Sequence, residues 1–400
     1  MGSVAEHGRG GERGGARLGR RRAIGLAAGA VAVPLLGRTG AWAQEASPAV
    51  GETPSPSPEA SATAEGSATP AGSATPTTRE SLFSGTPAPR RGAVTVYSGR
   101  SENLVGPFLT AFDASSGIDV EVRYAGTGEL AATLLEEGEN SPASAFLAQD
   151  AGALGLLAEE GLFAPLPEEI LERVPEAFRS PDGLWVGVTA RARVLAYNTD
   201  LVEEADLPSS VRDLTGERWT GRLGWAPENA SFQAFVTAFR LLEGDVAARE
   251  WLEAMITNGT ENFGDSNSAI VRAVGAGEIE AGLVNHYYLY AVGREAGDDF
   301  PVANHFFAAG DPGSLVNVAG YGVLAAAPEP ELALEVLDAL LSDDGQRYFV
   351  EETSEYPLVA GLEAQTGLPA LAEIGSPDLD LSDLADLQGT LDLLAEVGLL

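Results

Sequence analysis

The sequence predicts an α/β protein of two lobes, each a mixed, mainly parallel sheet covered by helices. Three observations predict it. From residue 93 onward, short β-branched runs alternate with segments of helical period at βαβ lengths. Two apolar stretches, residues 192–198 and 314–320, are suited to cross between halves. The 400 residues, 44% of them hydrophobic, are enough for two cores.

The elements follow in order. "AVTVY" is a short strand, and Leu104, Phe108, Leu109 and Phe112 then recur at helical spacing. Ser101 is placed to cap that helix and Gly117 to close it. "IDVEVRY" is a strand, "GELAATLLEEG" a helix and "ASAFLAQ" a strand. "RLGWA" is a strand ahead of two helices, at residues 235–242 and 246–256. "SAIVRAVGAGE", "IEAGLVN" and "YYLYAVGREAG" read as helix, strand and helix. A strand-like run, "GSLVNVAGYGVLAA", and a helix over residues 330–341 follow. No internal repeat is present.

Composition removes several function classes. The formal charge is −35, and every basic residue is arginine, so the surface repels nucleic acid and anionic lipid. With no cysteine, disulfides, thiolate metal sites, a cysteine nucleophile and a lipidated N-terminal cysteine are all excluded. Only His7, His286 and His305 exist, and His7 precedes the expected mature chain, so a zinc site or a Ser-His-Asp triad has almost nothing to draw on, and no phosphate-binding glycine motif occurs. An enzyme is therefore not expected.

The N-terminus reads as an address and a tether. Arg20, Arg21 and Arg22 precede the apolar run "AIGLAAGAVAVPLLG", and "AWA" offers a cleavage site after residue 43. The arginine pair also fits a twin-arginine export signal. Residues 44–91, rich in Pro, Ser, Thr and Ala, contain too few apolar side chains to order, so a disordered spacer is expected there. The mature protein is expected in the periplasm or at the cell surface, unattached to lipid.

Within the folded part, "LVNHYYLY" sets Tyr287 beside Tyr288 where a strand turns into a helix. Phenolate oxygen is a hard anionic donor that suits ferric iron. A free phenol has a pKa near 10, so binding would displace protons, and a helix N-terminus favours the charged form. The same spacing also permits plain packing of one tyrosine along Ala291, Val292 and Glu295.

Several segments together resemble the periplasmic ferric-ion-binding proteins, the substrate-binding components of iron ABC transporters. They are "TVYSGRSE", "EEGENSPASAFLAQDAGAL", "WVGVTARARVLAYNTDL", "NSAIVRAVGAGEIEAGLVNHYY", "GDPGSLVNVAG" and "SEYPLV". The resemblance covers residues 93–400. It implies a type 2 periplasmic-binding-protein-like fold with lobe 1 at residues 92–191 plus 317–365 and lobe 2 at 192–316 plus 366–400. It implies Fe3+ carried as ligand on Tyr287 and Tyr288, with phosphate or carbonate as synergistic anion, and no catalysis. The implied partners are a membrane permease and its ATPase, with the binding protein expected as a monomer.

The resemblance also assigns an anion side. Asn229, Ala230 and Ser231 lie at a strand-to-helix turn, Asn267 starts a helix, Asn285 ends a strand, and Arg191 and Arg100 can reach an anion. Helix capping is the alternative for the asparagines, and solvated charge for the arginines. The chain departs from the family pattern at Ser101, Gln149 and Phe232, where other members place histidine, glutamate and a third tyrosine. Asp150 and His286 stand nearby as further cleft or supporting residues. Iron would then depend on the anion, or on a chelate, for its remaining donors. The competing reading keeps the fold and binds thiamine, a polyamine or a phosphate compound, using Tyr97, Trp185, Trp225 or Phe232 as stacking faces.

Overall fold

The structure, a computed structural model, describes residues 88–400 except residue 298. The expected signal peptide, and the spacer up to residue 87, lie outside these residues. The chain divides into units at 1–72 and 73–400, and only the second is described.

The elements run β1 (Gly92–Ser98), α1 (Glu102–Ser116), β2 (Ile118–Tyr124), α2 (Thr127–Glu137), β3 (Ala145–Ala148), α3 (Ala151–Glu159) and α4 (Glu168–Leu171). A long strand, β4 (Val186–Asn198), leads to β5 (Leu223–Trp225), α5 (Ala230–Glu243), α6 (Asp245–Thr257), β6 (Glu261–Asn262), α7 (Asn267–Ala276), β7 (Ala281–Asn285) and α8 (Tyr287–Ala296). The chain closes with β8 (Val302–His305), β9 (Val316–Val323), α9 (Pro330–Leu340), α10 (Asp343–Tyr348), β10 (Tyr356–Pro357) and α11 (Leu387–Glu396). Gly117 ends α1 at φ 77°, the left-handed conformation that a helix-closing glycine takes. Ser101 sits at the N-terminal position of α1, but its side chain makes no capping bond.

The sheet order is β2-β1-β3-β9-β4-β7-β5-β6, with β8 and β10 also pairing β4. β1 lies parallel to β2 and β3, and β5 parallel to β6 and β7, as βαβ connections require. The two crossing strands, β4 and β9, run antiparallel to their neighbours, which makes the sheet mixed. β4 changes partners midway. Its residues 186–192 pair β9, and residues 193–197 pair β7. That switch puts Arg191 opposite Asn317 and Arg193 opposite Asn285. Because side chains alternate along a strand, both arginines leave the same face.

Packing around the helices is aromatic. Phe232, Phe235 and Phe239 line α5, and Phe235 and Phe239 meet Trp251 of α6 at 5.6 and 5.5 Å between ring centroids. Two expectations need correction. The last residues of the expected spacer, though exposed, are tied to the fold: Arg91 donates its amide to Gly117 O and its guanidinium to Glu335, and Arg90 pairs Asp113. The tail 366–400, expected with one lobe, divides. Its turn Leu381–Ala385 lies on α3, while α11 lies on α5. A Cβ at Gly152 would come within 2.5 Å of Leu384 O, so the turn seats only because that side chain is missing.

Candidate functional site

The strand-to-helix turn after Asn285 fixes the tyrosine pair. His286 precedes α8, and Tyr287 and Tyr288 open it. Their rings lie 4.5 Å apart at 35°. Tyr287 is buried and Tyr288 half-buried. Neighbouring side chains on one helical turn thus converge rather than diverge. Burial, then the charge of Tyr288, pushes the Tyr287 phenol well above its ordinary value, with Arg191 opposing. The expected help from the helix N-terminus is outweighed, because desolvating a phenolate costs more than a partial dipole charge returns.

His286 is a crossbar rather than a donor. Its Nδ1 accepts from the Ala192 amide at 3.1 Å and its Nε2 lies 2.8 Å from Ser354 O. Burial lowers its pKa to about 4, so the ring is neutral. Its ring stands 4.7 Å from that of Tyr356.

The arginines divide by partner. Arg100 is fully buried and donates both terminal nitrogens to Glu355, at 3.0 and 2.5 Å, with Thr189 Oγ1 at 3.1 Å from the first. Burial opposes both charges, but each partner holds the other ionised. This corrects the expectation that Arg100 reaches an anion, since a carboxylate of the chain has taken its fork. Arg191 is equally buried, and none of its three guanidinium nitrogens has an acceptor. Arg193 escaped the sequence reading. It is buried, its Nε is unpartnered, and its remaining bonds are long, 3.4 Å to Ser231 Oγ and 3.3 Å to Leu283 O. Its guanidinium lies over Phe232 and Phe235, 5.3 and 5.4 Å from the ring centres. Burial depresses its pKa to about 9, against the pull of Tyr288 and Tyr287.

The asparagines also separate. Asn229 caps α5, accepting from the Ser231 amide at 3.0 Å and donating to Asp265 O, so both ends of its side chain are engaged. That corrects its anion role and removes the Ser231 amide as an anion donor. Ser231 Oγ donates to Asn229 and faces Arg193, and Ala230 begins the helix. Asn267 is different. Ser266 caps α7 in its place, which leaves Asn267 buried with amide nitrogen and oxygen both unpartnered. Asn285 is buried with its Nδ2 unpartnered.

The departures sit as follows. Ser101 is exposed. Gln149 is half-buried, its amide held by Thr127 Oγ1 at 3.2 Å. Asp150 caps α3 through Ala153; burial pushes its carboxyl up and Arg191 pulls it down. Phe232 is fully buried, packed against Trp225 at 5.6 Å. Tyr97, Trp185 and Trp225 are buried too, so none of the four expected stacking faces is open to a ligand. Among the described residues, no group of three or more His, Asp or Glu could hold a metal. The two tyrosine rings stand together, and the buried charges of Arg191 and Arg193 act on them.

This geometry has close relatives. The pattern defining the bacterial extracellular solute-binding proteins matches residues 108–373. A protein of Serratia marcescens named Fe(3+)-binding periplasmic protein is 33% identical over 80% of this chain and 94% of its own. The crystal structure of iron-bound HitA from Pseudomonas aeruginosa superposes with a TM-score of 0.72 at 35% identity, covering 77% of this chain and all of that one (100%). A Trichodesmium protein solved in complex with iron and citrate ligands gives 0.66 at 28% identity, with coverage of 77% and 100%.

Proposed function

Because this chain belongs to the bacterial extracellular solute-binding proteins, in the branch of periplasmic ferric-iron-binding proteins, we propose that it captures ferric iron outside the cytoplasm and delivers it to an ABC importer. One observation carries the reading: two tyrosine rings 4.5 Å apart at a buried helix start, faced by a buried guanidinium with no acceptor. Tyr287 and Tyr288 are the metal donors. Each loses its proton to the solvent as iron binds, since only phenolate ligates strongly. The phenol of Tyr287 resists ionisation until the metal supplies compensating charge.

Arg191, Asn267 and Asn285 form the anion side, where phosphate or carbonate would satisfy their unpartnered atoms. On the proposed lobe boundaries, near residues 191–192 and 316–317, this group lies at the join, and closure of the lobes would bring anion and phenolates together. The chain is exported by its N-terminal signal, works as a monomer with a permease and ATPase, and catalyses nothing. Among the described residues no helix is long and apolar enough to cross a membrane. The organic-cation reading is disfavoured by its buried stacking faces.

Titrating metal-free protein with ferric nitrilotriacetate plus phosphate tests this reading. A visible tyrosinate-to-iron band, abolished by the double variant Tyr287→Phe/Tyr288→Phe, is expected. A colourless titration, or a band that survives the double variant, would reject it.

A further inference from the structure

The last step of the β4–β7 ladder is made in an unusual way. The two strands pair antiparallel with Arg193 opposite Asn285, so Ala192 and His286 form the next step. At every second step of such a ladder the two residues exchange both backbone bonds. Ala192 and His286 fall on one of these, and the His286 amide donates to Ala192 O at 3.0 Å. The return bond uses no carbonyl. Instead the Ala192 amide donates to the ring Nδ1 of His286 at 3.1 Å. The His286 carbonyl has turned away and accepts from Asn304 Nδ2 at 2.9 Å.

The tyrosines depend on that exchange. At φ −53° and ψ −36° His286 already has helical backbone, yet the last amide of the ladder is satisfied. The chain can therefore leave the strand at residue 286 without orphaning the buried N–H of Ala192, which would be costly. Tyr287 and Tyr288 then open α8. Starting the helix one residue later would turn both side chains by about 100°. The second ring nitrogen is engaged as well. With Nδ1 accepting, the proton sits on Nε2, which donates to Ser354 O at 2.8 Å. Ser354 follows a π-helical turn and, among the described residues, is the single non-glycine residue with positive φ, 58°. All four polar atoms of the fully buried His286 are thus bound, to β4, to β8 and to the turn at Ser354. The far end of α8 is tied separately, where Arg294 donates to Glu352 O at 3.1 Å.

Resting on the ferric reading, we infer that His286 is the positioning residue of the phenol pair: its imidazole stands in for its own carbonyl in the β4–β7 ladder, and so sets Tyr287 and Tyr288 on the first turn of α8 in the orientation that ligates iron. The ring itself does not touch the metal. On the proposed lobe boundaries Ser354 belongs to lobe 1 and His286 to lobe 2, so Nε2 also braces the pair against the opposite lobe.

The test loads metal-free full-length protein from ferric nitrilotriacetate plus phosphate and measures iron affinity, by chelator competition, and the maximum of the visible band. Wild type is compared with His286→Leu, His286→Asn and Arg294→Gln. His286→Leu keeps the bulk and loses both ring bonds, so affinity should fall about tenfold or more and the band should shift. His286→Asn puts an amide oxygen where Nδ1 stood, so it should return the band to its wild-type position and the affinity to within about threefold. Arg294→Gln releases only the far end of α8 and should leave both readings unchanged. Wild-type affinity and band in folded His286→Leu, even with a lower melting temperature, mark a merely structural histidine and overturn the inference. His286→Asn as impaired as His286→Leu overturns it, as does His286→Asn more than about tenfold weaker than wild type should His286→Leu fail to fold. A defect in Arg294→Gln equal to that of His286→Leu overturns it too, since loose anchoring of α8 would then suffice. These three outcomes leave the ferric reading intact. A colourless wild type rejects the ferric reading itself, and the inference with it.

Discussion

Arg100 and Glu355 lie 255 positions apart in the chain and meet in a two-bond ion pair closed to solvent on both sides. The pair ties the loop after β1 to the turn before β10, and Thr189 of the crossing strand joins it. Removing one partner strands a buried charge. Glu355→Gln should destabilise the fold by about 3–5 kcal/mol, read as a lower urea midpoint. The double change Arg100→Met/Glu355→Met should cost less than either single change. A single variant as stable as wild type would rule out a shared buried pair.

Iron binding should weaken in acid. Tyr287 holds its proton above the ordinary phenol value in the free protein, so binding must release it. Affinity should therefore fall about tenfold per pH unit for each phenol ionised, as pH drops below the ordinary phenol pKa. Competition against a chelator from pH 8.5 to 6.5, corrected for the chelator's own protonation, measures the slope. A flat profile excludes phenolate ligation.

His286 predicts a second pH effect, in the metal-free protein. Its folded pKa, about 4, lies below the ordinary 6.5, so the unfolded chain binds the proton first. Stability should fall as pH drops from 6.5 towards 4, by about 3 kcal/mol across that window. Replacing the ring by His286→Gln should flatten this part of the stability curve, as followed by urea melts. A slope unchanged in the variant assigns the effect elsewhere.

Gly99 lies between the loops that frame the first half of the site. A Cβ there would fall 2.1 Å from Thr127 Oγ1 and 2.9 Å from the Thr127 backbone, which holds the Gln149 amide through the same hydroxyl. Gly99→Ala should cost about 1–3 kcal/mol in thermal unfolding, since backbone must shift to admit the methyl group. Wild-type stability in the variant would mean that the loops yield freely.

Much of the fold was legible because it rests on local periodicity. The apolar spacing of α1, the alternation of β2 and the turn from β7 into α8 can each be read from a window of a dozen residues. The adjacency of Tyr287 and Tyr288 was equally plain. Arg193 left a trace as well: two arginines spaced by two in the apolar run of β4 must share a face. What they face is a different matter. Glu355 carried no local signal, because its partner stands 255 residues away.

By itself, then, the sequence determined the alternating elements, the crossing strand and the paired phenols, since each follows from neighbours along the chain. The tertiary structure alone decided which charges are satisfied. Nothing in the local sequence tells the fate of Arg100, in the loop after β1, from that of Arg191, inside β4. One closes on Glu355 and the other is left without an acceptor, because long-range packing sets where each guanidinium ends and which carboxylate reaches it first. The same packing made Asn229 a helix cap and left Asn267 unpartnered. A buried polar group must find its partner in space, and the chain's order does not say where that partner lies.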